Sequence, residues 1–247
     1  MASADLLARK KAKYLDVSQF FAQYYNNPNL GLDADVDKTR FQYYDRMQLK
    51  NLSGVWYIGD QMLSVYAAID FAYTVSKTAD YTALAVIGMT EKGVIYVLDL
   101  DRFKTNKISV MYTHALAAYR KWHFRKLRAE CTLMQALVVE QLKDFMREES
   151  VQFSIDEYRP PRGTTKEERI SAILEPRYTN LTIFHYRGGQ CQALEEELLV
   201  AQPEHDDLKD ALAAVIEVAK PAPKQRRTAD HGNVVYSGRF GGVSFRS

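Results

Sequence analysis

Val65-Tyr66-Ala67-Ala68-Ile69-Asp70-Phe71 is a seven-residue run with a single charged member. A run this short and this apolar reads as a central strand buried on both faces. Its acid, Asp70, stands at the end, where a carboxylate is costly unless it is ligated or hydrogen-bonded. A strand-end aspartate forming a turn is the ordinary structural explanation. Downstream, Tyr81 to Ile87 and Val94 to Leu100 are two more apolar runs, joined by Gly88-Met89-Thr90-Glu91-Lys92-Gly93. Two such runs around a glycine-bounded link form a hairpin signature. The three runs together predict an antiparallel meander.

The period then becomes helical. Ile108, Met111, Ala115, Ala118, Tyr119 and Trp122 fall on one face, followed by a strand over Phe124 to Cys131. Met134, Leu137, Val138, Leu142 and Phe145 mark a second amphipathic helix, and Val151 to Ile155 alternates as a further strand. A short helix over Lys166 to Leu174 is expected to stop before Pro176, and Leu181 to Tyr186 reads as a strand. Leu208, Ala211, Leu212, Val215 and Val218 make a closing helix. This order predicts an α/β fold in which a mixed sheet is flanked by helices. The first sixty residues show helical spacing and no obvious strands. They are read as an entry segment (1–60) before a main domain (61–219) and a flexible basic tail (220–247).

The 247 residues, 47% hydrophobic and 26% charged, exclude wholesale disorder. The tail from Lys220 holds six basic residues and one acid, which leaves 27 basic and 30 acidic residues for positions 1–219. A basic total charge therefore does not announce nucleic acid. No apolar run approaches the roughly 18 residues of a membrane span, and no signal-type stretch follows Met1. Two distant cysteines, Cys131 and Cys191, make neither a disulfide framework nor a cysteine zinc site, and a reducing cytoplasm fits them. No GxxxxGK[ST] loop occurs, so ATP hydrolysis by this chain is not expected.

The chemistry concentrates in acids that strands and helix ends would bring together. Glu130 closes a strand just before a helix, where the helix dipole alone would favour it. His205-Asp206-Asp207-Leu208-Lys209-Asp210 opens the last helix, and one aspartate there is accounted for as an N-cap. Adjacent carboxylates repel, and a divalent cation relieves that. An ordered Asp…Glu…Asp set suits phosphodiester hydrolysis by two Mg²⁺ or Mn²⁺ ions roughly 3.5–4 Å apart, and hard oxygen donors select such ions over zinc. Arg120 to Arg128 holds five basic residues in nine, including Arg125, Lys126 and Arg128. Arg159, Arg162, Lys166 and Arg169 form a second basic segment. Both read either as solvated surface or as phosphate contacts beside the cut.

Several segments carry a family likeness. Phe21-Ala22-Gln23-Tyr24-Tyr25-Asn26-Asn27-Pro28 is similar to a "QYxNxP" stretch. Ile69-Asp70-Phe71-Ala72 and Ala79-Asp80-Tyr81-Thr82-Ala83 resemble a first-strand acid and an "aDYTA" second strand. Lys166-Glu167-Glu168-Arg169-Ile170 resembles a "KxxRI" helix, and His205-Asp206-Asp207-Leu208 an "HDD" before the last helix. With these, residues 20–219 resemble the C-terminal nuclease domain of the large terminase subunit of tailed bacteriophages. The resemblance implies an RNase H-like fold in which parallel strands extend the meander. It implies metal-binding catalytic acids at Asp70, Glu130 and Asp206, with Asp207 as a neighbouring or alternative ligand. It further implies endonucleolytic cleavage of concatemeric double-stranded viral DNA in the host cytoplasm, and docking to a portal and a small terminase subunit. Residues 1–60 would then be a linker remnant after a missing ATPase. Little sequence preference is expected, since no base-reading helix is evident. The alternatives are another RNase H-like nuclease of resolvase or integrase type, and a non-catalytic DNA- or portal-binding packaging module.

Overall fold

The computed structural model describes residues 36–71, 81–130, 135–159, 163, 165–200 and 203–224. The "QYxNxP" stretch, Ala79-Asp80, Cys131, Arg162 and the tail from 225 onward lie outside the described residues. The expected meander is present as β4 (Gln61–Asp70), β5 (Thr82–Met89) and β6 (Ile95–Phe103), antiparallel throughout. β5 is buried along its whole length. Ala67, Ala68, Ala83 and Ala85 are at most 1% exposed, and such small side chains let covering helices sit close to the sheet. The β5–β6 link turns at Gly93, whose φ of 79° favours glycine, while the Thr90 hydroxyl accepts the Val94 amide at 3.1 Å.

Beyond the meander, β7 (Lys126–Glu130) pairs parallel with the second half of β4, and β8 (Ser154–Tyr158) pairs parallel with β7. Parallel neighbours need crossover connections, and α1 (Ile108–Trp122) and α2 (Gln135–Glu148) supply them. At the other edge β9 (Ile183–His185) pairs parallel with β6. The mixed sheet flanked by helices is thus as the sequence predicts.

Four features differ from that reading. Strands β1 (Gln42–Tyr43), β2 (Leu49–Leu52) and β3 (Val55–Ile58) lie in a segment read as strandless. β1 joins β9, and the β2–β3 hairpin joins the first half of β4. These strands are two to four residues long, too short to display a period. The strand after α2 is Ser154–Tyr158, not Val151 to Ile155. An unforeseen helix, α4 (Gln190–Leu198), follows β9.

Helix α3 (Lys166–Thr179) runs through Pro176 instead of stopping before it. An internal proline costs about 3 kcal/mol. The last turn offsets this by burying Tyr178, whose hydroxyl bonds His185 at 2.8 Å. The start of α3 is set by a capping box between Thr165 and Glu168. The closing helix α5 (Asp207–Val218) packs on β4, β5, β6 and β7 and buries Leu208, Leu212, Val215 and Ile216. Each such side chain contributes roughly 1.5–3 kcal/mol of transfer free energy.

Candidate active site

Strand register builds the site. Across the sheet Arg102 pairs with Ala83, Ala83 with Asp70, and Glu130 with Tyr158. Ile69 pairs with Ala129, so Asp70 and Glu130 close adjacent parallel strands. Paired residues project to the same face, which makes one row of Arg102, Ala83, Asp70, Glu130 and Tyr158. Helix α5 covers that face and brings Asp207 and Asp210, both nearly buried at 6% and 3% exposed.

Helix α3 supplies the countercharges. The Lys166 ammonium donates to Asp206 Oδ1 at 3.1 Å and lies 3.2 Å from Asp210 Oδ2. The Arg169 guanidinium donates to Asp210 Oδ1 at 3.1 Å and reaches Glu130 Oε2 at 3.5 Å. It also stacks over the Tyr158 ring, 5.7 Å from its centroid. Capping at Thr165 fixes where α3 begins, and the i, i+3 spacing of Lys166 and Arg169 turns both toward α5.

The result is five carboxylates around two cations. Burial, then the Asp210 charge, push Asp70 up to about 7, with Lys166 opposing and Glu130 and Asp207 adding. Glu130 is raised for the same first two reasons, against the pull of Arg169 and Lys166. Burial alone would lower the Lys166 ammonium, but Asp210, Asp206 and Asp70 outweigh it and hold it above its ordinary value.

Of the four acids expected in the site, Asp70, Glu130 and Asp207 share one electrostatic neighbourhood with Asp210. Asp206 stands at its rim, on Lys166. In sequence Asp210 is a third carboxylate one turn beyond the aspartate pair but not among the expected ligands, yet its charge acts on Asp70 more strongly than that of any other acid. The signal for it was present: Asp206 and Asp210 are four residues apart, one helical turn. The N-cap explanation of the aspartate pair is corrected, because Asp206 occupies the cap position and makes no side-chain cap bond.

Among the described residues, no group of three or more His, Cys, Asp or Glu side chains is spaced to hold a metal ion. The physical reason is visible: Lys166 and Arg169 hold Asp206, Asp210 and Glu130 through ion pairs. The donor chemistry nonetheless suits a hard dication, being all oxygen and short of positive charge.

The basic residues divide. Lys166 and Arg169 lie inside the site. Arg159 is exposed and directly follows Tyr158, at the site's end of β8. Lys126 opens β7 four residues before Glu130, about 13 Å away at 3.3 Å per residue. Arg125 precedes it, its amide bonded to the Val65 carbonyl at 2.9 Å, so both sit at the opposite end of the strand. Arg128 bridges Asp156 at 2.8 Å and Glu217 at 2.5 Å, tying β7 to β8 and α5.

A three-strand antiparallel meander extended by parallel strands and carrying end-of-strand acids is an RNase H-like architecture. Residues 67–218 match the family model of the terminase RNaseH-like domain, and the chain belongs to that family. In fold it is similar to the large terminase nuclease from the thermophilic phage G20c, with a TM-score of 0.53 and 11% identity over 76% of this chain and 100% of that one. More distant likenesses are to the nuclease domain of the large terminase subunit of bacterial virus Sf6 (TM-score 0.45, 11% identity, 64% of this chain and 89% of that one) and to Thermus thermophilus RuvC (TM-score 0.37, 15% identity, 62% and 91%). No curated protein matched the chain in sequence. No helix among the described residues is long and apolar enough to cross a membrane.

Proposed function

We propose that this chain is a metal-dependent endonuclease that cuts double-stranded DNA for a viral packaging terminase, with little sequence preference. The observation that carries the reading is the charge imbalance at one point of the sheet. Asp70 and Glu130 end neighbouring strands, Asp207 and Asp210 face them from α5, and burial together with the Asp210 charge pushes Asp70 up to about 7. Asp70, Glu130 and Asp210 would hold Mg²⁺ or Mn²⁺, with Asp206 and Asp207 beside them. When bound, two such ions supply Lewis-acid charge neutralisation at the scissile phosphate.

The chain's own groups do the rest. Backbone register places Asp70 and Glu130 at the ends of adjacent strands, so side-chain rotation alone brings their carboxylates to an ion. Lys166 and Arg169 neutralise Asp206, Asp210 and Glu130 and keep the acids apart in the metal-free protein. Their cations also suit the phosphates flanking the cut, as does the exposed Arg159. Membership in the terminase family supports cleavage of concatemeric viral DNA in the host cell, with a portal and a small terminase subunit as partners. Residues 61–219 would carry the catalytic groups, on a sheet completed by β1 to β3, and the tail from Lys220 would be dispensable for cutting.

A second reading, a DNA-binding packaging module without catalysis, is favoured by the ion pairing of Asp210 to both Lys166 and Arg169. Supercoiled plasmid separates the two. Nicking that requires Mg²⁺ or Mn²⁺ and stops in EDTA is expected. Binding without nicking at any divalent-ion concentration would leave the second reading standing.

A further inference from the structure

The N-terminus of α5 poses a problem that the site residues do not solve. The amides of a helix's first turn need an acceptor, and an N-cap aspartate ordinarily provides it. Asp206 holds that position and does not serve. The acceptor arrives from another helix: Glu197, near the end of α4, takes the Lys209 amide on Oε2 at 2.9 Å and also attracts the Leu208 amide. Its other oxygen accepts from Arg102 at 2.8 Å.

Glu197 is only 4% exposed. Burial pushes its carboxyl up to about 7 against the pull of the Lys209 amide and of Arg102. A carboxylate kept at that cost has a task, and the geometry shows what it holds. Arg102 belongs to the same cross-sheet row as Asp70, two strands away through Ala83, about 10 Å at 4.8 Å per strand. The chain Arg102–Glu197–Lys209 therefore clamps the first turn of α5, with Asp207 and Asp210 on it, to the row that carries Asp70. The borrowed cap also frees the Asp206 carboxylate to reach Lys166.

We propose that Glu197 is a positioning residue that caps α5 in place of Asp206 and so leaves the helix's own acids to the divalent-ion site. The inference rests on the active-site reading above, and its test separates the two. Hydrogen exchange at Leu208 and Lys209 is measured first, without metal. Glu197→Ala should speed it about fivefold, the worth of one lost cap, Glu197→Gln should keep it near wild type because an acceptor remains, and Asp206→Ala should leave it unchanged. Mn²⁺ binding is then followed by electron paramagnetic resonance. Half-saturation should rise about tenfold in Glu197→Ala, as on loss of a residue that orients a ligand, and recover in Glu197→Gln. A purely structural residue would lower the melting temperature without moving Mn²⁺ half-saturation of the folded protein. Unchanged exchange in Glu197→Ala, equal deprotection in Asp206→Ala, or an unmoved Mn²⁺ titration overturns the proposal. Should the wild-type protein bind no Mn²⁺, the active-site reading fails and amide exchange alone decides the role of Glu197.

Discussion

At the β1–β9 edge of the sheet, His185 is fully buried between Tyr178 on its Nε2 at 2.8 Å and Glu195 on its Nδ1 at 2.9 Å. Glu195 accepts in turn from the Tyr43 hydroxyl at 3.1 Å, and the Arg187 guanidinium lies 4.2 Å over the Tyr43 ring. At the sheet centre, Asp70, Glu130, Asp206 and Asp210 share Lys166 and Arg169, and Asp207 adds its charge beside Asp70. Both are polar networks of similar size, each with a buried centre and a more exposed rim. In the first, each polar group meets a complementary one, and the network pins the short strands β1 and β9 to α3 and α4. In the second, negative charge exceeds positive by three. A satisfied network rigidifies, whereas an unbalanced one stores repulsion that a ligand of opposite charge releases. The contrast separates a structural pin from a site, although a count of buried ionisable groups would rank them alike.

The contrast breaks most sharply at Asp70. Asp70→Ala should reduce Mn²⁺-dependent plasmid nicking by at least about a thousandfold, or some 4 kcal/mol of transition-state stabilisation, while thermal melting in EDTA is not lowered. Retained nicking would remove Asp70 from the site. The same imbalance has a pH signature in the metal-free protein. Asp70 is raised from 3.8 to about 7, so its charged form is the one disfavoured by folding. Its contribution to stability is present below about pH 4 and is lost as pH rises through 7, by at most about 4 kcal/mol at 1.36 kcal/mol per unit. Asp70→Asn in EDTA should therefore raise the urea midpoint at pH 8 and change it little at pH 4. Equal midpoints at pH 8 would show that neither burial nor the neighbouring acids penalise the Asp70 carboxylate.

His185→Ala should behave in the opposite way. It leaves Tyr178 and Glu195 without their shared partner and opens a cavity, a loss of about 3 kcal/mol. Nicking per folded molecule should stay within about twofold of wild type, because the pin lies away from the row that carries Asp70 and Glu130. A loss of cutting larger than the loss of folded protein would mean that the two networks are coupled.

How much of this the sequence shows depends on the length of the signal. The seven residues Val65 to Phe71, the hairpin around Gly93 and the apolar face of α5 are unbroken apolar patterns of several residues, and the structure contains all three. Glu130 and the aspartate pair are legible because they close or open such elements. Strands β1 to β3 were hidden because two to four residues cannot show a period, and their pairing comes from β9 and β4, at least 140 residues downstream for β1 and next in sequence for β3. Helix α3 crosses Pro176 because tertiary burial of Tyr178 outweighs a local rule. Capping by Glu197 was invisible for a further reason: a cap lent by another helix has no fixed spacing. The cap role that the sequence offers to one of Asp206 and Asp207 is thus taken by a residue nine positions before Asp206.

The smallest expected effects sharpen the same distinction among the basic residues. Arg128 resembled a phosphate contact in sequence, yet it bridges Asp156 and Glu217 and its side chain is 11% exposed. It belongs with the balanced groups. Arg128→Met should cost about 1 kcal/mol of stability by loss of charge-assisted hydrogen bonds and should leave the salt dependence of DNA binding unchanged. Arg159 is exposed at the site's end of β8. Arg159→Met should spare stability and flatten the plot of log affinity against log salt by about 0.9, the value of one phosphate contact on duplex DNA. Fluorescence anisotropy over a salt series with Ca²⁺ in place of Mn²⁺ measures both. If Arg128→Met changes the slope and Arg159→Met does not, the duplex runs along the β7 side of the sheet, toward Arg125 and Lys126, and the bridge to Asp156 and Glu217 must open when DNA binds.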